Sequence, residues 1–179
     1  MRKLVITEFM SLDGVIENPA WTFPYWNDDI AAFKGEESES TDALLLGRVT
    51  YEGFAAAWPT SEDQGAEYFN GVRKYVVSTT LKNADWNNSV IISDNVVEEI
   101  AKLKEQDGKD ITVHGSGKLA QSLLENGLVD RVRLLVYPVV LGQGQKLFVD
   151  GMTATFKLVE TKPMGDGGVV AMIYEPIQE

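Results

Sequence analysis

Cysteine is absent from the chain and histidine occurs once, at His114. The first absence removes disulfide frameworks, thiolate metal sites and cysteine nucleophiles; the second removes sites built from several imidazoles. No carboxylate spacing supplies a metal shell in their place, so metal catalysis is not expected. Positive charge is also scarce, with 16 Lys and Arg against 27 Asp and Glu and a formal net charge of −11. No basic stripe offsets that charge, which makes a nucleic-acid backbone a poor partner. No apolar run approaches a membrane span, and the run Leu4-Val5-Ile6 ends too soon for a signal peptide. These absences lead us to expect a cytoplasmic protein with neither membrane nor nucleic acid as partner. What is present is 179 residues, 44% hydrophobic, enough to bury one substantial core and to be expected as a single domain over residues 1–179.

Local patterning alternates between strand-like and helix-like runs. Lys3 to Phe9 reads as a strand, followed by an Asp13-Gly14 turn before Val15-Ile16. Asn18 to Trp26 holds Pro19, Pro24, Trp21, Phe23, Tyr25 and Trp26 without a regular period, a loop that either folds back on the core or lines an apolar concavity. Asn27 predicts a helix cap, Asp28 and Asp29 fill the first turn, and the helix is expected to fray through a solvated Glu36-to-Ser40 end. Ala43 to Leu46 predicts a buried strand, and Thr50 to Ala57 a helix that Pro59 stops. Strands follow at Lys74–Ser78 and Ser89–Ile92. Asn95 with Glu98 matches a capping box ahead of Val97, Ile100, Ala101 and Lys104. Asp110–Val113 and Val129–Tyr137 read as strands on either side of a helix carrying Leu119, Ala120, Leu123 and Leu124. Phe156–Glu160 and Gly168–Tyr174 read as a returning antiparallel pair. The alternation predicts an α/β fold with a mixed, mainly parallel central sheet flanked by helices and a crevice at the carboxyl ends of its strands.

Several reactive residues fall after those strands or at helix starts. Gly115-Ser116-Gly117-Lys118 joins a strand to a helix, where backbone N–H groups, a Ser116 cap and the Lys118 charge can meet a phosphate; the same glycines can equally just shape a tight turn. Gly47, Arg48 and Thr50 offer backbone, guanidinium and hydroxyl donors to a phosphate, unless Arg48 pairs with a surface carboxylate. Ser78 and Thr79 either add hydroxyls or satisfy their own turn. Asp29, after the aromatic loop, can bind a protonated or amide-bearing heterocycle through two hydrogen bonds, or simply serve the helix dipole. His114 ends an apolar strand, so a packed, loop-supporting histidine is expected rather than an acid catalyst.

Taken in order, these segments resemble the dihydrofolate reductase-like superfamily. Ser11 to Ile16 is similar to the segment after its first strand, Asp28 to Lys34 to its substrate-site helix, Leu46 to Glu52 and Val77 to Thr80 to its cofactor edge, and Gly115 to Gly117 to its pyrophosphate turn. Leu123 to Asp130, Tyr137 to Gly144 and Leu147-Phe148 resemble the branch containing the reductase domain of bacterial riboflavin biosynthesis. Ser116 stands where a third glycine is common, and Arg131 where that branch often has an acidic residue. The resemblance implies hydride transfer from NADPH to a small nitrogen heterocycle. Asp29 would orient the acceptor, the loop carrying Trp21 and Trp26 would cover the reacting faces, and Gly47, Arg48, Thr50, Ser78, Thr79, Gly115, Ser116, Gly117 and Lys118 would hold the cofactor. The acceptor it favours is 5-amino-6-(5-phosphoribosylamino)uracil or a related pyrimidine. Dihydrofolate or a pterin is the alternative, and a non-catalytic nucleotide-binding or structural protein a further one. A homodimer is also expected, with Val129 to Val140 contributing to the contact unless one monomer's core absorbs that strand.

Overall fold

The computed structural model describes residues 1–177. Its strands are β1 (Leu4–Met10), β2 (Thr41–Gly47), β3 (Arg73–Val77), β4 (Ser89–Ile92), β5 (Asp110–His114), β6 (Arg131–Val136), β7 (Phe156–Pro163) and β8 (Val170–Pro176). They form one sheet in the order β4-β3-β2-β5-β1-β6-β8-β7. Pairing is parallel from β4 through β6 and antiparallel in β6-β8-β7, so the sheet is mixed as expected. The helices are α1 (Asp28–Ser40), α2 (Arg48–Ala57), α3 (Ala66–Gly71), α4 (Val96–Glu105) and α5 (Gly117–Glu125), with a 3₁₀ segment at Pro19–Tyr25.

Period-2 alternation sorts the strand side chains between two helical layers. Leu4 and Ile6, Ala43 and Leu45, Ile111 and Val113, and Val132 and Leu134 pack with Ile100 and Leu103 of α4 and Ala120 and Leu123 of α5. On the opposite face, Leu135, Tyr137, Ala171 and Ile173 meet Ile30 and Phe33 of α1, while Leu44, Leu46 and Val76 meet Tyr51 of α2. Each fully buried Leu or Ile contributes roughly 1.5–3 kcal/mol of transfer free energy. No helix among the described residues is long and apolar enough to cross a membrane.

Two local readings need correction, one short helix goes unforeseen, and the strand left open between core and subunit contact lies in the core. The helix end expected to fray at Glu36 to Ser40 stays regular to the end of α1; Glu36, Glu39 and Ser40 are exposed as expected, but Glu37 is 3% exposed. Ile30, Phe33 and Glu37 share one helical stripe, and Lys34 and His114 supply Glu37 with polar neighbours that make its burial tolerable. The Asn95–Glu98 capping box does not form, because Asn95 lies in the left-handed region (φ 49°) and makes no side-chain cap bond. The short helix α3 follows a polar stretch whose pattern did not announce it. The stretch Val129 to Val140 is not a free face: β6 lies between β1 and β8, and Val132, Leu134, Leu135 and Tyr137 are buried within the monomer. A strand paired on both edges and covered on both faces is apolar for that reason alone.

Candidate active site

The neighbouring parallel strands β2 and β5 send their following helices to opposite faces of the sheet, α2 onto Leu44 and Leu46 and α5 onto Ile111 and Val113. Such a switch point opens a crevice at the strands' carboxyl ends, bordered by the N-termini of both helices. Gly115 (φ 54°) and Ser116 (φ 60°) turn the chain from β5 into α5 in the left-handed region. A Cβ on Gly115 would stand 3.1 Å from Thr50 Oγ1, so both the conformation and the space call for glycine. Ser116 does not cap α5 as expected; its Oγ accepts the Gly47 N–H at 2.9 Å and lies 3.0 Å from both Thr50 Oγ1 and the His114 carbonyl oxygen. In this left-handed geometry the Ser116 hydroxyl bonds across to the start of α2 instead of folding over its own helix.

Gly47, Thr50, Gly115, Ser116 and Gly117 are thereby brought together, as their sequence positions suggested. Neither α2 nor α5 has a side-chain cap or an acidic residue in its first turn. By contrast, α1 is capped by Asn27 at 3.0 Å and carries Asp28 and Asp29, and α4 carries Glu98 and Glu99. Two uncapped, acid-free N-termini side by side offer open N–H donors and the positive ends of two dipoles to one anion. Lys118 is exposed on the first turn of α5. Arg48, at the start of α2, meets Glu52 at 2.8 Å in an exposed i,i+4 pair that costs little to open. Ser78 is buried, and its Oγ accepts the N–H groups of Thr80 at 3.2 Å and Leu81 at 2.9 Å; Ser78 thus satisfies its own turn, and Thr79 beside it is exposed.

The rest of the rim follows β1 and β6. Asp13 accepts the N–H groups of Leu141 at 3.1 Å and Gly142 at 2.7 Å, and Glu17 that of Gln145 at 3.1 Å. The Ser11 hydroxyl, then these Gly142 and Leu141 bonds, hold the Asp13 carboxyl down at about 2. The two loops are therefore pinned together, and Asp13 has a structural role. Of the two indoles in the aromatic segment, Trp21 folds back, donating to the Glu17 carbonyl at 3.0 Å and packing edge-on against Tyr137, whereas Trp26 is 52% exposed. Asp29 is exposed on the first turn of α1, one residue before the buried Ile30.

The floor joins His114 to Lys34 and Glu37, two residues to which the sequence assigns no site role of their own. Lys34 donates to Thr7 Oγ1 at 3.0 Å, pairs with Glu37, and lies 5.5 Å from the centre of the Phe9 ring. His114 Nε2 stands 3.6 Å from Glu37 Oε1, and its ring meets those of Phe54 and Phe69. Burial pushes the imidazole down to about 3, helped by the Lys34 charge and opposed by Glu37, so His114 is neutral at pH 7 and packed as expected. Burial works against the Glu37 carboxylate too, but the Lys34 charge holds its pKa below the ordinary value. The overlooked signal was the i, i+3, i+7 spacing that puts Glu37 on the same stripe as Ile30 and Phe33. A larger open groove of about 880 Å³, lined by Tyr51, Asn70, Asp85 and Trp86, lies beside the residues that lead into β3 and β4, at the end of the sheet away from the helix N-termini.

This sheet order, with its crevice between β2 and β5, defines a dihydrofolate reductase-like α/β protein. The chain belongs to the RibD C-terminal domain family, whose pattern matches residues 2–170. The Bacillus subtilis (strain 168) protein YyaP is 32% identical over 179 residues, covering 97% of this chain and 94% of that one. A pyrimidine reductase-like protein from Corynebacterium diphtheriae superposes with a TM-score of 0.73 at 13% identity, over 99% of this chain and 93% of that one. Dihydrofolate reductase from Enterococcus faecalis, solved with NADP(H), gives 0.67 at 16% identity, over 98% and 97%. At those identities the two solved structures speak to the fold. Family membership supports an oxidoreductase of the pyrimidine reductase type.

Proposed function

We propose that the protein is a cytoplasmic NADPH-dependent reductase of a small nitrogen heterocycle, with 5-amino-6-(5-phosphoribosylamino)uracil or a related pyrimidine as acceptor. The observation that carries this reading is the meeting of two uncapped, acid-free helix N-termini at the Thr50–Ser116 contact, in a chain whose formal net charge is −11. Local positive potential set against that overall charge suits a dinucleotide phosphate. The residues present fit the cofactor. Gly115 and Gly117 leave backbone where a Cβ would collide, and Arg48 and Lys118 flank the turn. The nicotinamide supplies the hydride when bound. The chain's own residues bind, orient and exclude water: Asp29 takes the acceptor's ring amide, and the Pro19–Tyr25 segment with Trp26 covers the acceptor.

The deciding assay is NADPH oxidation by purified protein with the phosphoribosylaminouracil, with dihydrofolate run in parallel. The Asp29 carboxylate at the start of α1 favours dihydrofolate or a pterin as the second reading. Nucleotide-dependent thermal stabilisation without turnover of either compound would leave only a non-catalytic nucleotide-binding protein. Arg48→Ala should weaken NADPH about tenfold and leave NADH unchanged; equal losses for both would remove Arg48 from the 2′-phosphate. Asp29→Asn should lower kcat by about 100-fold while sparing binary NADPH affinity, and a fully active variant removes Asp29 from the mechanism. A homodimer belongs to the same reading, although with β6 absorbed by the monomer the open residues of its stretch are Pro138 and Val140, the latter at 68% exposure. Sedimentation equilibrium giving 19.8 kDa at every concentration would exclude it.

A further inference from the structure

Beneath the C-terminal half of α1, behind the crevice floor, lies a cavity of about 250 Å³ whose walls include Val5, Glu37, Thr41, Thr112, Arg131 and Arg133. Val5 is the one apolar residue lining it. Three buried side-chain atoms around it make no hydrogen bond: Glu37 Oε2, Arg131 Nε and Arg133 Nε. Arg133 Nε does stand 3.3 Å from Glu37 Oε2, an ion-pair separation, but its angle makes no hydrogen bond, so both atoms stay unsatisfied. One acceptor and two donors around a polar void of this size call for water, because leaving each unpaired costs about 1–3 kcal/mol.

Glu37 forms the wall between this cavity and the crevice floor. Its Oε1 faces Lys34 Nζ and His114 Nε2, and its Oε2 faces Arg133 and the cavity. Lys34 reaches the sheet at Thr7, which is register-paired with His114, the last residue before the Gly115 turn. The ionisable groups around Glu37 are Lys34 on its own helix, His114 on β5, Arg133 on β6, Tyr68 on α3 and, more distantly, Glu8 on β1. Of these, Lys34 is the donor that reaches both Glu37 and, at Thr7 Oγ1, the sheet.

We propose that the cavity is a water-filled proton entry and that Glu37 is a positioning residue that passes protons from it to Lys34, the group that protonates the acceptor. The inference rests on the reductase reading. Reduction of a C=N bond adds hydride to carbon and requires one proton on nitrogen. That proton leaves Lys34 Nζ, whose N–H electron pair stays on the amine as the new N–H bond forms on the acceptor. A proton from solvent acid, handed on by the cavity water, which gains one proton as it gives one up, then reaches Glu37 Oε2, and rotation of the carboxyl delivers it to Nζ. Solvent at the rim, beside Glu36 and Asp110, restores the cavity water.

The test uses the whole chain without nucleotide, so that it stands apart from turnover. NMR exchange of the Lys34 ammonium protons with water should slow at least tenfold in Glu37→Gln, which keeps the size and one acceptor oxygen but cannot carry a proton. It should slow likewise in Val5→Phe, which fills the cavity and leaves Glu37 in place. Unchanged exchange in the folded variants overturns the proposal whatever the enzyme reduces, and if Glu37→Gln fails to fold, Val5→Phe decides alone. With an active acceptor, Glu37→Gln should lower kcat about 10- to 100-fold at unchanged KM, with a larger solvent deuterium isotope effect and partial recovery in Glu37→Asp. Slowed exchange with kcat intact would overturn the link to the reaction, and absence of any turnover in wild type would instead count against the reductase reading.

Discussion

Replacing Tyr137 with alanine should cost about 3–5 kcal/mol of folding stability, the range for deleting a large aromatic side chain from a core. Tyr137 is fully buried, and three rings meet it edge to face: Phe9 of β1 at 5.9 Å, Trp21 at 5.5 Å and Tyr25 at 5.7 Å. Each such pair adds about 0.5–1.5 kcal/mol beyond area burial. Trp21 and Tyr25 belong to the Pro19–Tyr25 segment, so Tyr137 is the anchor that holds this segment against the sheet. Truncation should therefore do more than lower the urea midpoint. It should raise the acceptor KM by releasing the segment, while the NADPH binding proposed for α2 and α5 stays near wild type. Tyr137→Phe separates ring from hydroxyl. The hydroxyl makes no hydrogen bond, so the phenylalanine variant should lie within about 1 kcal/mol of wild type or above it. A Tyr137→Ala protein that unfolds at the wild-type urea concentration would show that the aromatic cluster is not what fixes the segment.

What could be read from the chain beforehand follows from how local the determining physics is. The β2 run Ala43 to Leu46 and the β5 run Ile111 to Val113, apolar but for Thr112, are buried on both faces, so a short continuous run bounded by turn residues located them. The Gly115 turn was legible because positive φ and close approach to Thr50 both demand glycine. Ser116 was assigned to the right place with the wrong bond, since its choice between capping α5 and reaching Gly47 depends on a neighbouring strand that sequence does not position. Asn95 failed as a cap for a comparable reason: the left-handed backbone turns its side chain away. Glu37 was misread most seriously. Flanked by Glu36, Ser38 and Glu39 it looks solvated, and only the tertiary arrival of Lys34, His114 and Arg133 makes a buried carboxylate affordable. Burial of Tyr137 and exposure of Val140, within one apolar stretch, were equally out of reach, because they depend on where β6 sits in the sheet.

The same buried floor should make the protein lose stability steeply in acid. His114 titrates at about 3 in the folded protein, against an ordinary value of 6.5, because burial disfavours its imidazolium. Between those values the unfolded chain binds more protons than the folded one, so stability is full above pH 6.5 and falls as the pH drops toward 3. At 1.36 kcal/mol per pH unit the loss reaches about 3 kcal/mol by pH 4. Glu37 adds to it with the same sign, since a carboxylate held below its ordinary pKa by Lys34 stabilises the fold above that ordinary value and ceases to as the pH falls through the depressed one. Glu8 works in the opposite direction: burial raises its pKa well above 4.5, so its contribution is greatest in acid and declines as the pH rises. That opposition gives the measurement its resolution. Urea denaturation at steps from pH 7.5 to 4 should show a steep acid limb in wild type and a limb shallower by about 3 kcal/mol in His114→Phe, whose ring keeps the contacts with Phe54 and Phe69. Glu8→Met should steepen the acid limb, since it removes the group of opposite sign, and raise stability at pH 7 by about 1–3 kcal/mol, because it removes a buried, unpartnered carboxyl oxygen from the Leu4–Ile6 face. An acid limb as steep in His114→Phe as in wild type would place the proton uptake elsewhere, with Glu37 as the remaining group of that sign on the floor.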